Sequence, residues 1–312
     1  MTHPTDPDRT GAGAPADQAD LETLLGERQH LLNVAFRMLG TRADAEDVVQ
    51  ETYARWFRLT DAEREAIEVP GAWLTRVASR LCLDQLGSAR ARRESYVGEW
   101  LPEPLPSAAL ASSSVAEDPL DRITLDDSVT MALLVVLDSL TPAERVAFVL
   151  HDVFALPFDE IAAIVGRTPQ ACRKLASSAR THIRDRREGA TTPEYHRSVV
   201  EAFAAACQGG DIDALLALLD PTVTARSDGG GRVRAAINPI VGADRVARFL
   251  LGLIAKEDPG RVTASFEEVN GLTGIVFRRS GTVAVVLSLD VRHDRVTDVW
   301  MVLNPDKLTA WA

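Results

Sequence analysis

Cysteine is scarce in this chain of 312 residues: Cys82, Cys172 and Cys207 are three, an odd number spread far apart, so no disulfide scaffold is expected. Two of them fall on apolar helix stripes, and buried thiols in a reducing compartment are the expectation. The six histidines form no ligand-spaced cluster with them, which argues against a metal site, and no motif asks for a cofactor. No run approaches the roughly 18 consecutive apolar residues of a membrane span. Residues 1–20 carry Asp, Ala, Gly, Pro and Thr without an apolar core of the signal-peptide kind, so a disordered start, no membrane and a cytoplasmic location are expected. Positive charge is short as well. A net charge of -11 excludes a protein that coats itself with polyanion over its whole surface.

The basic charge that exists is gathered in two places. Between Phe158 and Arg187 there are seven Arg or Lys against three acids, and between Arg76 and Arg93 five Arg against Asp84 alone. Two basic islands on an acidic protein point to two nucleic-acid contacts, with acidic surface left for a basic partner. The hydrophobic fraction of 46% is enough for real cores, and the length suggests two or three domains.

The first island lies in a helix-turn-helix. Thr141 and Glu144 have capping-box spacing with Pro142 at the first helical position, and Val146, Val149, Leu150 and Val153 would face inward from one helix. Phe158, Ile161, Ala162 and Val165 mark a second helix ending at Gly166. Thr168 and Pro169 open a third, whose apolar stripe is Cys172, Leu175, Ala176, Ala179 and Ile183. Its other face carries Arg173, Lys174, Ser177, Arg180, Arg184 and Arg187, a surface suited to DNA phosphates and base edges. Arg173 near the helix start is the expected base reader, and Arg187 a phosphate contact.

Ahead of it, Leu31, Leu32, Ala35, Phe36 and Leu39 trace a helix that should stop at Gly40. Thr41 caps the next, with Ala45, Val48, Val49, Thr52, Tyr53 and Trp56 inward and Asp44, Glu46, Asp47, Gln50 and Glu51 crowding its first turns. Pro70-Gly71 open a third, with Trp73, Leu74, Val77, Ala78 and Leu81 inward, Arg76 and Arg80 outward, and Arg90, Arg92 and Arg93 at its end. Aromatic residues near this patch, Trp73, Tyr96 and Trp100, have the character of a base-stacking set, although Trp73 reads mainly as core.

The order Asp44-Ala45-Glu46-Asp47-Val48-Val49-Gln50-Glu51-Thr52, then Pro70-Gly71-Ala72-Trp73-Leu74, then the helix-turn-helix resembles the extracytoplasmic-function (ECF) sigma factors of bacterial RNA polymerase over roughly the first 190 residues. By that resemblance Asp44, Glu46, Asp47, Gln50 and Glu51 dock on the β′ clamp helices of core polymerase. Arg76, Arg80, Arg90, Arg92 and Arg93 engage the −10 element, and Arg173, Lys174, Ser177, Arg180, Arg184 and Arg187 the −35 element. The helix-turn-helix domain would also meet the β flap. The chain departs from many relatives at Pro157, Leu81 and Ser178.

Residues 94–127 read as a linker between a region two domain (21–93) and a region four domain (128–190). Tyr96-Val97-Gly98-Glu99-Trp100-Leu101-Pro102-Glu103-Pro104 is too aromatic for a solvated tether and suits a docking peptide. From residue 193 to 312 the pattern becomes two helices, a short strand Thr222–Ser227, the turn Asp228-Gly229-Gly230-Gly231, a helix and four strand-like runs. This resembles the SnoaL-like branch of NTF2-like cones. The fold class is therefore multidomain: two all-α sigma domains, a region two helical bundle and a region four helix-turn-helix, followed by an α+β NTF2-like cone.

Asn304-Pro305-Asp306-Lys307-Leu308 resembles the ending of sigma factors that carry such an extension. The resemblance implies that the cone adjusts activity in cis, gripping Tyr96, Trp100, Leu101 and Pro102 through Asp228, Gly229, Asn304, Pro305, Asp306 and Lys307. A small ligand in the cone is left open, and a monomer is expected when the protein is free. The competing function is a SnoaL-like small-molecule enzyme fused to a DNA-binding regulator. It would need a pocket base, for which Asp290, Asp298, Glu267 and Glu268 are the candidates.

Overall fold

The computed structural model describes residues 14–94, 96–106, 109, 130–258 and 260–311, with the side chains of 14–25, 89–94 and 185–187 outside the description. Of the start expected to be disordered, residues 1–13 lie outside the description, whereas 14–20 are helical; the linker residues 95, 107, 108 and 110–127 also lie outside it.

Helices α1 (Ala14–Leu39), α2 (Arg42–Arg58) and α4 (Pro70–Glu94) form a bundle, with the short α3 (Asp61–Glu65) between the last two. Helix α1 closes with the Gly40 N–H donated to the Phe36 carbonyl, 2.8 Å away, and Gly40, at φ +81°, then turns the chain out of the helix. Thr41 then caps α2 by accepting from the Asp44 N–H. Leu31, Val34, Met38, Val48, Trp56, Leu74 and Cys82 are fully or almost fully buried where the three helices meet. Trp73 leans edge-on against Trp56, their ring centroids 5.4 Å apart.

The second helical domain runs through α5 (Met131–Ser139), α6 (Pro142–Phe148), α7 (Phe158–Val165) and α8 (Pro169–Arg187). Thr141 and Glu144 make the expected reciprocal capping box. The expectation of one uninterrupted α-helix through Val153 does not hold. Residues Val149–Val153 form a π-helical turn, in which the Phe154 N–H reaches the Val149 carbonyl at 3.2 Å. The wider turn keeps Val149 and Leu150 fully buried while Asp152 stands exposed, and it unwinds at Ala155, whose φ is +54°. Gly166, at φ +69°, ends α7 in the left-handed conformation and sets up the turn into α8.

The two helical domains share one hydrophobic core that runs from Leu31 to Ile183. Helix α4 rests on α6 and α7. Arg145 of α6, 3% exposed, reaches across to donate to the Met38 carbonyl at 2.8 Å and to Asp138 at 3.0 Å.

The remaining chain is α+β. Helices α9 (Pro193–Gly209), α10 (Ile212–Leu218) and α11 (Ala243–Ile254) pack on one face of a six-stranded sheet ordered β2-β1-β6-β5-β4-β3. Strands β3 (Val262–Val269), β4 (Leu272–Arg279), β5 (Thr282–Arg292) and β6 (Arg295–Val302) form an antiparallel meander. Strand β1 (Leu219–Asp228) joins it parallel to β6 and begins three residues earlier than the sequence pattern suggests. Strand β2 (Ile240–Val241) pairs two residues with β1 and has too few for any alternation to show. Phe203, Leu215, Val246, Leu287, Leu289 and Met301 fill the space between sheet and helices. The opposite face is apolar too: Val276, Val286, Trp300 and Val302 meet Leu101, Met131, Leu308 and Trp311.

Candidate nucleic-acid interface and interdomain clamp

Helix α8 presents Arg173, Lys174, Ser177, Arg180 and Arg184 as exposed residues, opposite a stripe in which Cys172, Ala176, Ala179 and Ile183 are buried. The Arg187 side chain lies outside the described residues. Arg173 sits over the Phe158 ring at 5.4 Å from its centroid, and Arg180 donates to Asp152 at 2.6 Å. Ser178 donates to Glu144 at 2.7 Å and ties α8 to the α6 cap. On α4, Arg76 and Arg80 are exposed, while the side chains of Arg90, Arg92 and Arg93 lie outside the description. The aromatic set does not offer rings to unpaired bases: Trp73 packs on Trp56, and Tyr96 and Trp100 belong to the clamp described below.

On α2, Glu46 pairs with Arg42 at 2.8 Å and Glu51 with Arg55 at 2.9 Å. Asp44 accepts from the Thr41 hydroxyl. Asp47 and Gln50 point outward between them.

Residues 96–106 are a strap threaded between the helical domains and the cone, and 101–105 are buried without a break. Asp228, fully buried at the end of β1, is its anchor. Its carboxylate accepts from the Tyr96 hydroxyl at 2.6 Å, the Leu101 N–H at 2.9 Å, the Gly230 N–H at 3.0 Å and the Lys307 ammonium at 2.7 Å. Lys307 also donates to the Leu101 carbonyl and lies 4.0 Å from the Trp100 ring centroid. Asn304 donates to the Tyr96 oxygen at 3.0 Å. Burial and the Asp228 hydrogen bond push the Tyr96 phenol well above the usual tyrosine range. The charge pair stands on hydrogen bonds at nearly every polar atom, the condition under which a buried ion pair holds.

Two glycines make this approach possible. A Cβ at Gly230 would stand 2.4 Å from the Asn304 amide, and one at Gly229 would stand 2.2 Å from the Val233 carbonyl oxygen. Pro102 is buried in the strap. Pro305 and Asp306 do not grip the strap. Both are exposed, Pro305 opening a short 3-10 turn and Asp306 pairing with Arg232 at 3.1 Å.

Four partners were not foreseen. Glu103, 3% exposed, turns away from the cone and accepts from the Arg42 N–H at 2.6 Å at the start of α2, while its own N–H donates to the Gly40 carbonyl at 2.8 Å. Burial pushes its carboxyl upward against that donated hydrogen bond. Asn270 exchanges two hydrogen bonds with Leu105, at 2.8 and 3.1 Å. Trp311 donates to the Pro104 carbonyl at 2.8 Å. Gly40 lies so close under Trp100 that a Cβ there would be 2.8 Å from the indole.

Of the acids considered as pocket bases, Asp290, Asp298 and Glu267 do not face the helix-packed interior, and Glu268 lies at its open rim beside Glu194 and Arg197. Leu289 and Val299 pack inward, and the next register pair, Asp290 and Asp298, lies on the other side, with Arg292 at 3.1 and 3.6 Å. Glu267 is bound by Arg278 and Ser265, and Glu268 is exposed. The interior holds His196, whose Nε2 meets the Leu289 carbonyl at 3.1 Å and whose burial lowers its pKa. Among the described residues no cluster of three or more His, Cys, Asp or Glu is arranged to hold a metal, and no helix is long and apolar enough to cross a membrane.

Two family profiles match the chain: Sigma-70 region 2 over residues 26–92 and Sigma-70, region 4 over residues 130–183. The ECF RNA polymerase sigma factor SigJ of Mycobacterium tuberculosis is 41% identical over 294 residues, covering 90% of this chain and 91% of that one. The probable ECF RNA polymerase sigma factor SigI of the same species is 38% identical over 283 residues, covering 90% and 92%. The crystal structure of M. tuberculosis SigJ superposes with a TM-score of 0.71 at 38% identity, covering 94% of this chain and 98% of that one. With both sigma regions matched and the similarity running on through the sheet domain, the chain belongs to the ECF RNA polymerase sigma factors.

Proposed function

We propose that this chain directs core RNA polymerase to promoters and that its C-terminal domain controls, through the strap, when it does so. In this reading Asp47 and Gln50 of α2, with the acids around them, dock on the β′ clamp helices. Helix α4 engages the −10 element, α8 the −35 element, and the α5–α8 domain meets the β flap. The protein works in the cytoplasm, where polymerase is.

The observation that carries the regulatory part is the direct packing of α4 on α6 and α7, fastened by Arg145 and the strap. Elements named −10 and −35 lie about 25 base pairs apart, over two helical turns or roughly 85 Å of duplex. Two readers in contact with each other do not span that distance. The conformation described is then a closed one, and promoter engagement requires the helical domains to part. The sheet's outer face is filled by the chain's own strap, Met131 and tail, which leaves no room for a second copy there.

The test is run-off transcription with core enzyme, using the full chain, a chain ending at Asp306 and a chain ending at Arg187. Removal of residues after Asp306 takes away Lys307, Leu308 and Trp311 and is expected to raise output above that of the full chain. Equal output from those two would overturn control by the strap, and no promoter-dependent output from any of the three would overturn the sigma reading.

A further inference from the structure

The π-helical turn has no role in the function described so far, although two residues in it reach the DNA-facing side of α8. His151 lies tilted against Phe158, with ring centroids 3.9 Å apart and an interplanar angle of 33°, and its Nδ1 meets the Leu156 carbonyl at 3.0 Å. Phe158 in turn lies under the guanidinium of Arg173 at 5.4 Å, within the range in which a ring face attracts a cation. The next residue, Asp152, accepts from Arg180 at 2.6 Å. One π turn thus supports two arginines seven positions apart on the same helix face. A regular α-helix through Val153 would place both supporting residues at a different angle around the helix axis and separate them from their partners.

Long arginine side chains lose much rotamer freedom when they bind, and a side chain already held in place loses less. We propose that the turn Val149–Val153, acting through Phe158 and Asp152, is the positioning apparatus of the promoter-reading helix, with Phe158 holding Arg173 ready for a base edge in the major groove. Phe158 is a positioning residue, since it touches the arginine and not the DNA. The inference rests on the reading that α8 engages the −35 element.

The experiment uses full-length chain with core polymerase. A preferred −35 sequence is first selected from a randomised template, and transcription is then compared on that sequence and on a scrambled one. Phe158→Leu is expected to lower the matched-to-scrambled ratio about two- to fivefold, the scale of a single exposed cation–ring contact, with helix content and dependence on salt unchanged. Phe158→Tyr, which keeps the ring, restores the ratio, and Phe158→Leu adds nothing in an Arg173→Ala background. Asp152→Asn is read in the same way against Arg180→Ala. An unchanged ratio for Arg173→Ala overturns the −35 assignment itself. A lowered ratio for Arg173→Ala with none for Phe158→Leu, or full additivity of the two, overturns the positioning role.

Discussion

Asp228→Ala is expected to open the strap. The change leaves Lys307 buried without its carboxylate and removes the acceptor of both the Tyr96 hydroxyl and the Leu101 N–H. Taking one partner from a buried ion pair costs about 3–5 kcal/mol, because the other charge remains in a poorly polarisable site. Spent on local opening, about 3 kcal/mol raises the open population by roughly a hundredfold. Limited proteolysis reads this directly: cleavage between Tyr96 and Leu105 should accelerate by about that factor. Lys307→Met is the control, since it removes the charge and leaves Asp228 to the Tyr96 and Leu101 donors, and its effect should be smaller. Equal protection of the strap in wild type and Asp228→Ala would show that the anchor lies elsewhere.

Arg145→Ala should part the two helical domains. Arg145 is the buried bridge from α6 to the end of α1, and a hydrogen bond from a charged group contributes about 1.5–3 kcal/mol when its acceptor is left without another partner. Apolar packing around α4 remains, so the expected result is a second, separated population and not complete dissociation. Spin labels at the exposed positions Asp84 and Lys174 would report it as a longer distance component appearing beside the short one. A single unchanged distance, with helix content intact, would mean that apolar contact alone holds the domains together.

The parts of this molecule that are written in local chemistry could be read from the chain. Thr141 with Glu144, Gly166 and Gly40 each mark a boundary because a cap or a left-handed turn requires that residue type at that place. Tyr96, Trp100, Leu101, Asp228, Asn304 and Lys307 were conspicuous because folding alone did not account for them, and the structure brings them within reach of one another.

What stayed hidden follows from physics that leaves no residue signature. Glu103 binds backbone groups of residues 40 and 42, and every residue carries those. The π turn keeps the apolar spacing of an α-helix, so Val149, Leu150 and Val153 read identically in both. Asp290 and Asp298 looked available to a pocket because alternation does not say which face is inside, and the register shifts at Asp290 and Val291. Pro305 and Asp306 belonged to a recognisable run in which Asn304 and Lys307 make the contacts.

The strap's partners are distant along the chain: Leu101 meets Lys307 across 206 positions. A ribosome adding roughly 5–20 residues per second places about 10–40 s between the emergence of the two. Both helical domains are complete well inside that interval, and nothing that fastens the strap to the sheet has yet been made. Each newly synthesised molecule therefore passes through an unlatched period before it first closes. A core polymerase present at that moment meets the protein before the strap is fastened.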